Sequence, residues 1–359
     1  MSVRLSLSFA AALSVAATAC GADGGDVDLG FDDADVVADF ADQVAVATYV
    51  ELDRRVGALA AAIADLSEVA SVEHFAAARE AWLAAREPWE QGEGFLFGPV
   101  DTYGFDPALD SWPVNQADLD AVLASDDAFT PAYIAGLQET QKGYHTIEYL
   151  LFGADRSKTL ADLTERELAY LAALGPEVAD VTDQLAAAWT DGIQGAGPYR
   201  DVIATAGDGV NTSYPSRAAA AQQMLAGMIG ICDEVANGKI ADPYDAHDPT
   251  LVESQFSFNS LDDFTDNLIS VRNVWRGGSD AAGTTGRGLR DWVDERDAAL
   301  AARVDDELAA ALAAIAAIPA PFRDAITDPS AAGAIEAAQA AIRTLGDTLA
   351  GDVTRTVLP

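Results

Sequence analysis

Gly143-Tyr144-His145-Thr146-Ile147-Glu148-Tyr149-Leu150-Leu151-Phe152-Gly153 sets an imidazole and a carboxylate three residues apart in an otherwise apolar run. A helix turns once in roughly 3.6 residues, so positions i and i+3 lie about 60° apart and His145 and Glu148 project from one face. Ile147, Leu150, Leu151 and Phe152 leave little of that helix to meet water. The polar pair is therefore expected inside a bundle or at a junction, where burial demands a partner: a metal ion, an arginine or a water. The chain has three histidines, His74, His145 and His247, and only His145 stands in a strongly apolar helix with a carboxylate on the same face. Imidazole with carboxylates suits zinc, iron or manganese rather than calcium. A buried histidine held by a local carboxylate, with no ligand, accounts for the same spacing.

With 359 residues, 50% of them hydrophobic, the chain can bury a large core and is long enough for two units. Lys and Arg total 21 against 58 Asp and Glu, a formal net charge of -37. That balance repels nucleic acid and anionic lipid and attracts cations, so no polynucleotide partner is expected. Because the acids are spread along the chain, most of them read as a solvated surface.

The first twenty residues read as a secretory signal: a short basic start through Arg4, an apolar run from Leu5 to Val15, then Ala16-Ala17-Thr18-Ala19-Cys20. A cysteine after small residues resembles a bacterial lipobox, with Cys20 as the lipidation site, although Ala17 stands where that pattern has Leu. Gly21 after the cysteine is similar to the pattern of lipoproteins sent on to an outer membrane. The expected location is the bacterial envelope after export across the inner membrane, held by the lipid alone and facing the periplasm or the cell surface. Cys232 is the other thiol, in an apolar setting that makes it a core residue. Residues 21–35, rich in Gly and Asp, read as a tether.

From Val36 to Leu66 apolar residues recur at threes and fours, which predicts a long helix. A second should start at Ser71 and run through Trp82, Arg86 and Trp89, with Pro88 kinking it and Glu90 and Glu93 closing it. Phe95 to Asn115 is an irregular aromatic loop, the kind that caps a core or lines a site, and it carries Asp110 and Trp112. Thr130-Pro131 should open the helix that carries the central stretch. Thr164-Glu165-Arg166-Glu167 forms a capping box before another long helix, which Gly175-Pro176 could bend or break. Gly192 to Thr212 reads as a crossover, followed by helices over 215–236, 260–275, 289–318 and 331–353. No stretch shows sustained strand alternation, so an all-α chain is predicted: two four-helix-bundle-like halves side by side, residues 36–195 and 196–359.

Ala78-Arg79-Glu80-Ala81-Trp82 through Glu93-Gly94-Phe95-Leu96-Phe97-Gly98-Pro99, then Asp110-Ser111-Trp112-Pro113, then the central G-x-H-x-x-E stretch, resemble successive signatures of the imelysin family. Val252-Glu253-Ser254-Gln255-Phe256-Ser257-Phe258-Asn259-Ser260, with Phe264 to Leu268 and Val274 to Gly277, is similar to its second-half signature. The resemblance implies a two-domain helical envelope protein, often a lipoprotein and associated with iron uptake, in a family classed with metallopeptidases.

A zinc peptidase needs three protein ligands, an open position and a separate base, and no H-E-x-x-H motif occurs here. With His145, Glu148 and Glu93 as ligands, Glu90 or Asp110 would have to act as base. The expectation is therefore a transition metal, iron first and zinc second, or a small iron-bearing ligand, bound without peptide hydrolysis where the halves meet. His145 supplies nitrogen and Glu148 and Glu93 oxygen; Glu90, Asp110 and Trp112 stand further out. The family signature adds Ser257, Asn259 and Asn267 from the second half. Envelope iron-transport proteins are the implied partners. The alternatives are a metallopeptidase using His145 and Glu148, and a non-enzymatic module that binds a peptide or protein partner.

Overall fold

The computed structural model describes residues 32–358; the expected signal segment, Cys20 and the tether up to Phe31 lie outside the described residues. Among the described residues every regular element is helical, and none of the helices is long and apolar enough to cross a membrane. Eight longer helices carry the fold. Four precede residue 200: α1 (Ala47–Glu68), α2 (Val72–Glu90), α3 (Gly143–Phe152) and α4 (Glu165–Thr190). Four follow it: α5 (Arg217–Glu234), α6 (Ser260–Arg276), α7 (Ala298–Ala316) and α8 (Ala332–Thr348).

Each half closes in the same order. In the first, α1 packs on α2, α2 on α3, α3 on α4 and α4 back on α1; in the second, α5, α6, α7 and α8 do the same. The apolar spacing explains why. On α1, Leu52, Val56, Leu59, Ile63 and Leu66 are fully buried along one stripe. The buried stripe of α2 runs Phe75, Ala78, Trp82, Ala85 and Trp89, but it also takes in Arg86 and Glu90. Two charges on an apolar stripe mark the place where α2 meets more than hydrocarbon.

From Asp32 onward the chain is one compact unit. Its seam is made by α2 and the following turn, Glu93–Phe95, which lie against α5 and α6. There the backbones nearly touch: a Cβ on Gly227 of α5 would fall 2.1 Å from the Gly94 carbonyl oxygen, and one on Gly94 would fall 2.6 Å from Ser270 Oγ of α6. Larger residues would wedge the halves apart.

Several boundaries differ from the sequence reading. The tether does not run to Asp35, because Asp32 accepts from the Ala34 N–H and caps a helix over Asp33–Asp39. A π-helical segment, Phe40–Val46, then leads into α1. Helix α2 stops at Glu90, and Glu93 opens a separate 3-10 turn. Thr130 caps only Pro131–Ala135, and α3 starts afresh at Gly143. Pro176 does not end α4. The expected helix over 289–318 is two, Leu289–Asp294 and α7, because Asp297 accepts from the Leu300 N–H and starts a new one.

Candidate metal centre

Helix α3 is fixed at both ends. Gly143 has φ +74°, and a Cβ there would fall 2.3 Å from the Leu109 carbonyl oxygen, so the glycine of G-x-H-x-x-E serves both the turn and the close approach. At the other end Arg79 donates from Nε and Nη2 to the Leu151 carbonyl, at 3.0 and 2.7 Å. Between them Trp82 Nε1 donates to the Tyr144 carbonyl at 2.9 Å. His145, 1% exposed, is thus held rigidly at the seam.

Its ring lies between two carboxylates. Nδ1 is 3.0 Å from Glu148 Oε2, and Nε2 is 3.2 Å from Asp110 Oδ1. Glu148 has no oxygen to spare. Its Oε1 accepts from the Phe256 N–H at 3.0 Å, the Ser257 N–H at 2.7 Å and Ser257 Oγ at 2.7 Å. A first-half carboxylate therefore orders the second-half loop before α6 while it orients the imidazole. In that loop Ser254 and Phe258 adopt φ of 47° and 64°, strained for residues with side chains.

Arg86 organises the acids around this pair. Its guanidinium donates to Asp110 and Glu90, lies 3.3 Å from Glu253 Oε1 and 3.6 Å from Asp263, and is itself wholly buried. Trp89 Nε1 donates to the second oxygen of Asp110 at 2.7 Å, and Asn259 Nδ2 to Asp263 at 2.8 Å. Lys239 of the second half enters beside them. Its Nζ is 2.5 Å from Glu93, 3.1 Å from Glu253 and 3.5 Å from Glu90. Asn267 of α6 donates to Glu90 Oε2 at 2.6 Å and Glu93 Oε2 at 2.8 Å.

The account of charge does not balance. Among the described residues, Glu90, Glu93, Asp110, Glu148, Glu253 and Asp263 are ion-paired only with Arg86, Lys239 and, when protonated, His145. Burial opposes the imidazolium, yet Asp110 and Glu148 outweigh it and push His145 up to about 10. Burial likewise opposes the Asp110 carboxylate, but Arg86 and then His145 hold it well below the usual range. In Glu93, Asp263 and Glu253 burial outweighs the neighbouring cations. Burial pushes Glu93 up to about 7 against the pull of Lys239, and Asp263 up to about 6 against that of Arg86. Glu253 is raised for the same reason, with Lys239 opposing. Acids held up by burial in this way gain from any further cation.

Among the described residues, two groups bring one ligand atom per residue within 4.8 Å of one another: Asp110, His145 and Glu253; and Glu90, Glu93, Asp110 and Glu253. The first suits a transition ion, with one imidazole and two carboxylates. His145 Nε2 and Glu253 Oε2 are also buried without an aligned hydrogen bond.

Of the residues read from the sequence, the seam collects His145, Glu148, Glu93, Glu90, Asp110, Ser257, Asn259 and Asn267, but in different roles. Glu148 and Ser257 orient the ring and the loop, while Glu93 and Glu90 surround Lys239 rather than His145. Asn259 holds Asp263 instead of the pocket centre. Trp112 is half-buried with its indole N–H unpartnered. Sequence spacing missed Arg86, Lys239, Glu253 and Asp263. Arg86 had a signal, since a charge on the Trp82–Trp89 stripe must be paired; Lys239 had none.

Residues 45–349 match the family model described as Imelysin. The chain is 32% identical over 320 residues to a protein named iron-regulated protein A from Synechococcus elongatus, covering 89% of this chain and 84% of that one. A crystal structure carrying the name iron-regulated protein A precursor, from Parabacteroides distasonis ATCC 8503, aligns with TM-score 0.83 at 29% identity, over 90% of this chain and 94% of its own. An imelysin-like protein from Psychrobacter arcticum 273-4 shares the fold, with TM-score 0.64 at 14% identity, over 90% and 92%.

Proposed function

The chain belongs to the imelysin family, and on that premise we propose that it binds a transition-metal ion, iron first and zinc second, or a small iron-bearing ligand, where its two helical halves meet. The observation that carries this reading is the convergence of buried His145 and Glu253 with half-buried Asp110, their ligand atoms within 4.8 Å of one another, in a seam with more acid than base. His145 Nε2 and one oxygen each from Asp110 and Glu253 hold the ion, and Glu148 fixes the ring through Nδ1. Glu93 and Glu90 flank the ion from the Lys239 side. The choice of iron rests on the relatives whose names describe them as iron-regulated. An ion that is bound and handed on, in iron uptake, fits a ligand set with no dedicated chemistry around it.

The expected location is the envelope, with Cys20 lipidated after signal removal and envelope iron-transport proteins as partners; a Cys20→Ala chain recovered as soluble periplasmic protein checks the anchor. Both oxygens of Glu148 are taken, and neither Glu90 nor Asp110 stands free to act as a base, which disfavours a peptidase. Unfolded polypeptide should survive incubation with the protein and Zn²⁺, whereas metal-dependent cleavage abolished by Glu148→Ala overturns this. The site itself is tested by elemental analysis of protein purified without chelators. One ion per chain is expected, and little or none in His145→Ala of equal thermal stability; equal metal in both would remove His145 from the site.

A further inference from the structure

We infer that Lys239 is a tethered cation filling a second metal position, and that it limits the junction to a single ion. The inference rests on the junction being a cation site, as proposed above, and concerns the group that the His145 site leaves aside. Glu90, Glu93, Asp110 and Glu253 place four carboxylate oxygens within 4.8 Å of one another, a separation at which one cation can touch several of them. A cation is already there. The Lys239 ammonium approaches three of the four, Glu93, Glu253 and Glu90, and its side chain is only 10% exposed.

Its placement is specific. Lys239 ends a π-helical turn, Val235–Lys239, in which the Ile240 N–H reaches back to the Val235 carbonyl at 3.0 Å. Such turns depart from the helical register and recur where a side chain is presented to a site. Among the described residues Lys239 is the base ion-paired with Glu93, while the first-half Arg86 guanidinium is engaged by Glu90 and Asp110. Asn267 donates to both Glu90 and Glu93, which completes a cradle for a small positive charge. Lys239 thus stands where a second ion would stand in a carboxylate-bridged pair, with Asp110 and Glu253 common to both positions. An ammonium has no empty coordination sites, so a chain with Lys239 in place takes up one metal and leaves Glu90 and Glu93 out of its coordination.

Zn²⁺ loading of the full chain, followed by dialysis and elemental analysis, reads this directly. One zinc per chain is expected for the unaltered protein and for Lys239→Arg, two for Lys239→Met, and one for Lys239→Met combined with His145→Ala. If K239M does not keep its fold, Lys239→Gln, which removes the charge and keeps two donors, is read in the same way. One zinc in both the unaltered chain and K239M overturns the inference and leaves the His145 site standing. No zinc in the unaltered chain and one in K239M sinks the His145 site and supports the role of Lys239. Two zincs in the unaltered chain overturn it outright.

Discussion

His145 and Lys239 are the two basic groups on either side of one shared pair of acids, and they are held in opposite ways. His145 is built from the first half alone: Gly143 and Arg79 fix its helix, Glu148 three residues on takes Nδ1, and Asp110 faces Nε2. Lys239 comes from the second half, on a π-helical turn, and meets Glu90 and Glu93 more than 140 positions earlier in the chain. The imidazole can exchange a proton for a metal; the ammonium can only stay or leave. On the proposed reading, one acid cluster offers a position for an exchangeable ion beside a position filled by the chain itself.

Arg86 serves both sides, so its removal breaks the comparison most severely. Arg86→Met strips the guanidinium from Asp110, Glu90, Glu253 and Asp263, and losing one partner of a buried ion pair costs about 3–5 kcal/mol. Urea unfolding should show a loss in that range; a change under 1 kcal/mol would mean that the acids are neutral in the fold. Glu148→Gln acts on the His145 side only. Orienting partners of metal-bound histidines are typically worth about 10–100-fold in affinity, and a loss of that size is expected in calorimetric titration with Zn²⁺ while the fold persists.

Asn267→Leu acts on the Lys239 side. Glu90 and Glu93 lose a shared donor, which should lower stability by about 1 kcal/mol and leave metal affinity unchanged. An affinity loss as large as that of E148Q would erase the distinction between the two positions. A pH-dependent effect lies just outside both. Burial, joined by Glu87, Asp263 and Asp262, pushes Asp266 up to about 7 from 3.8, against a hydrogen bond from Gln91. A carboxyl raised in the fold contributes stability that is complete below its unfolded value and lost as pH climbs through the folded one. Asp266→Asn should therefore match the parent near pH 4 and melt higher than it near pH 8; identical melting curves at both would show that Asp266 is not raised.

The helical register was legible because it is a local property. The threes-and-fours stripe of α1 and the Thr164 capping box needed nothing beyond neighbouring residues, and the central pair was readable for the same reason. Boundaries differ where a second local signal competes with the apolar period: Asp297 restarts a helix, and Gly136 ends the one that Thr130 opens. The site failed differently. Arg86 to Glu253 spans 167 positions, and no spacing rule reaches across that distance. Spacing put Glu148 among the ligands because it shares a face with His145. The structure turns its other oxygen toward the backbone of Phe256 and Ser257, a partner only the assembled seam can supply.

X-ray anomalous scattering from a crystal soaked with Fe²⁺ or Zn²⁺ would locate the ion relative to His145 and Lys239. One peak is expected at the seam, about 2.0–2.1 Å from His145 Nε2 and in reach of Asp110 and Glu253, with Lys239 still seated among Glu90, Glu93 and Glu253. A single peak among Glu90 and Glu93 with Lys239 displaced, or a crystal with no peak near His145, would contradict it.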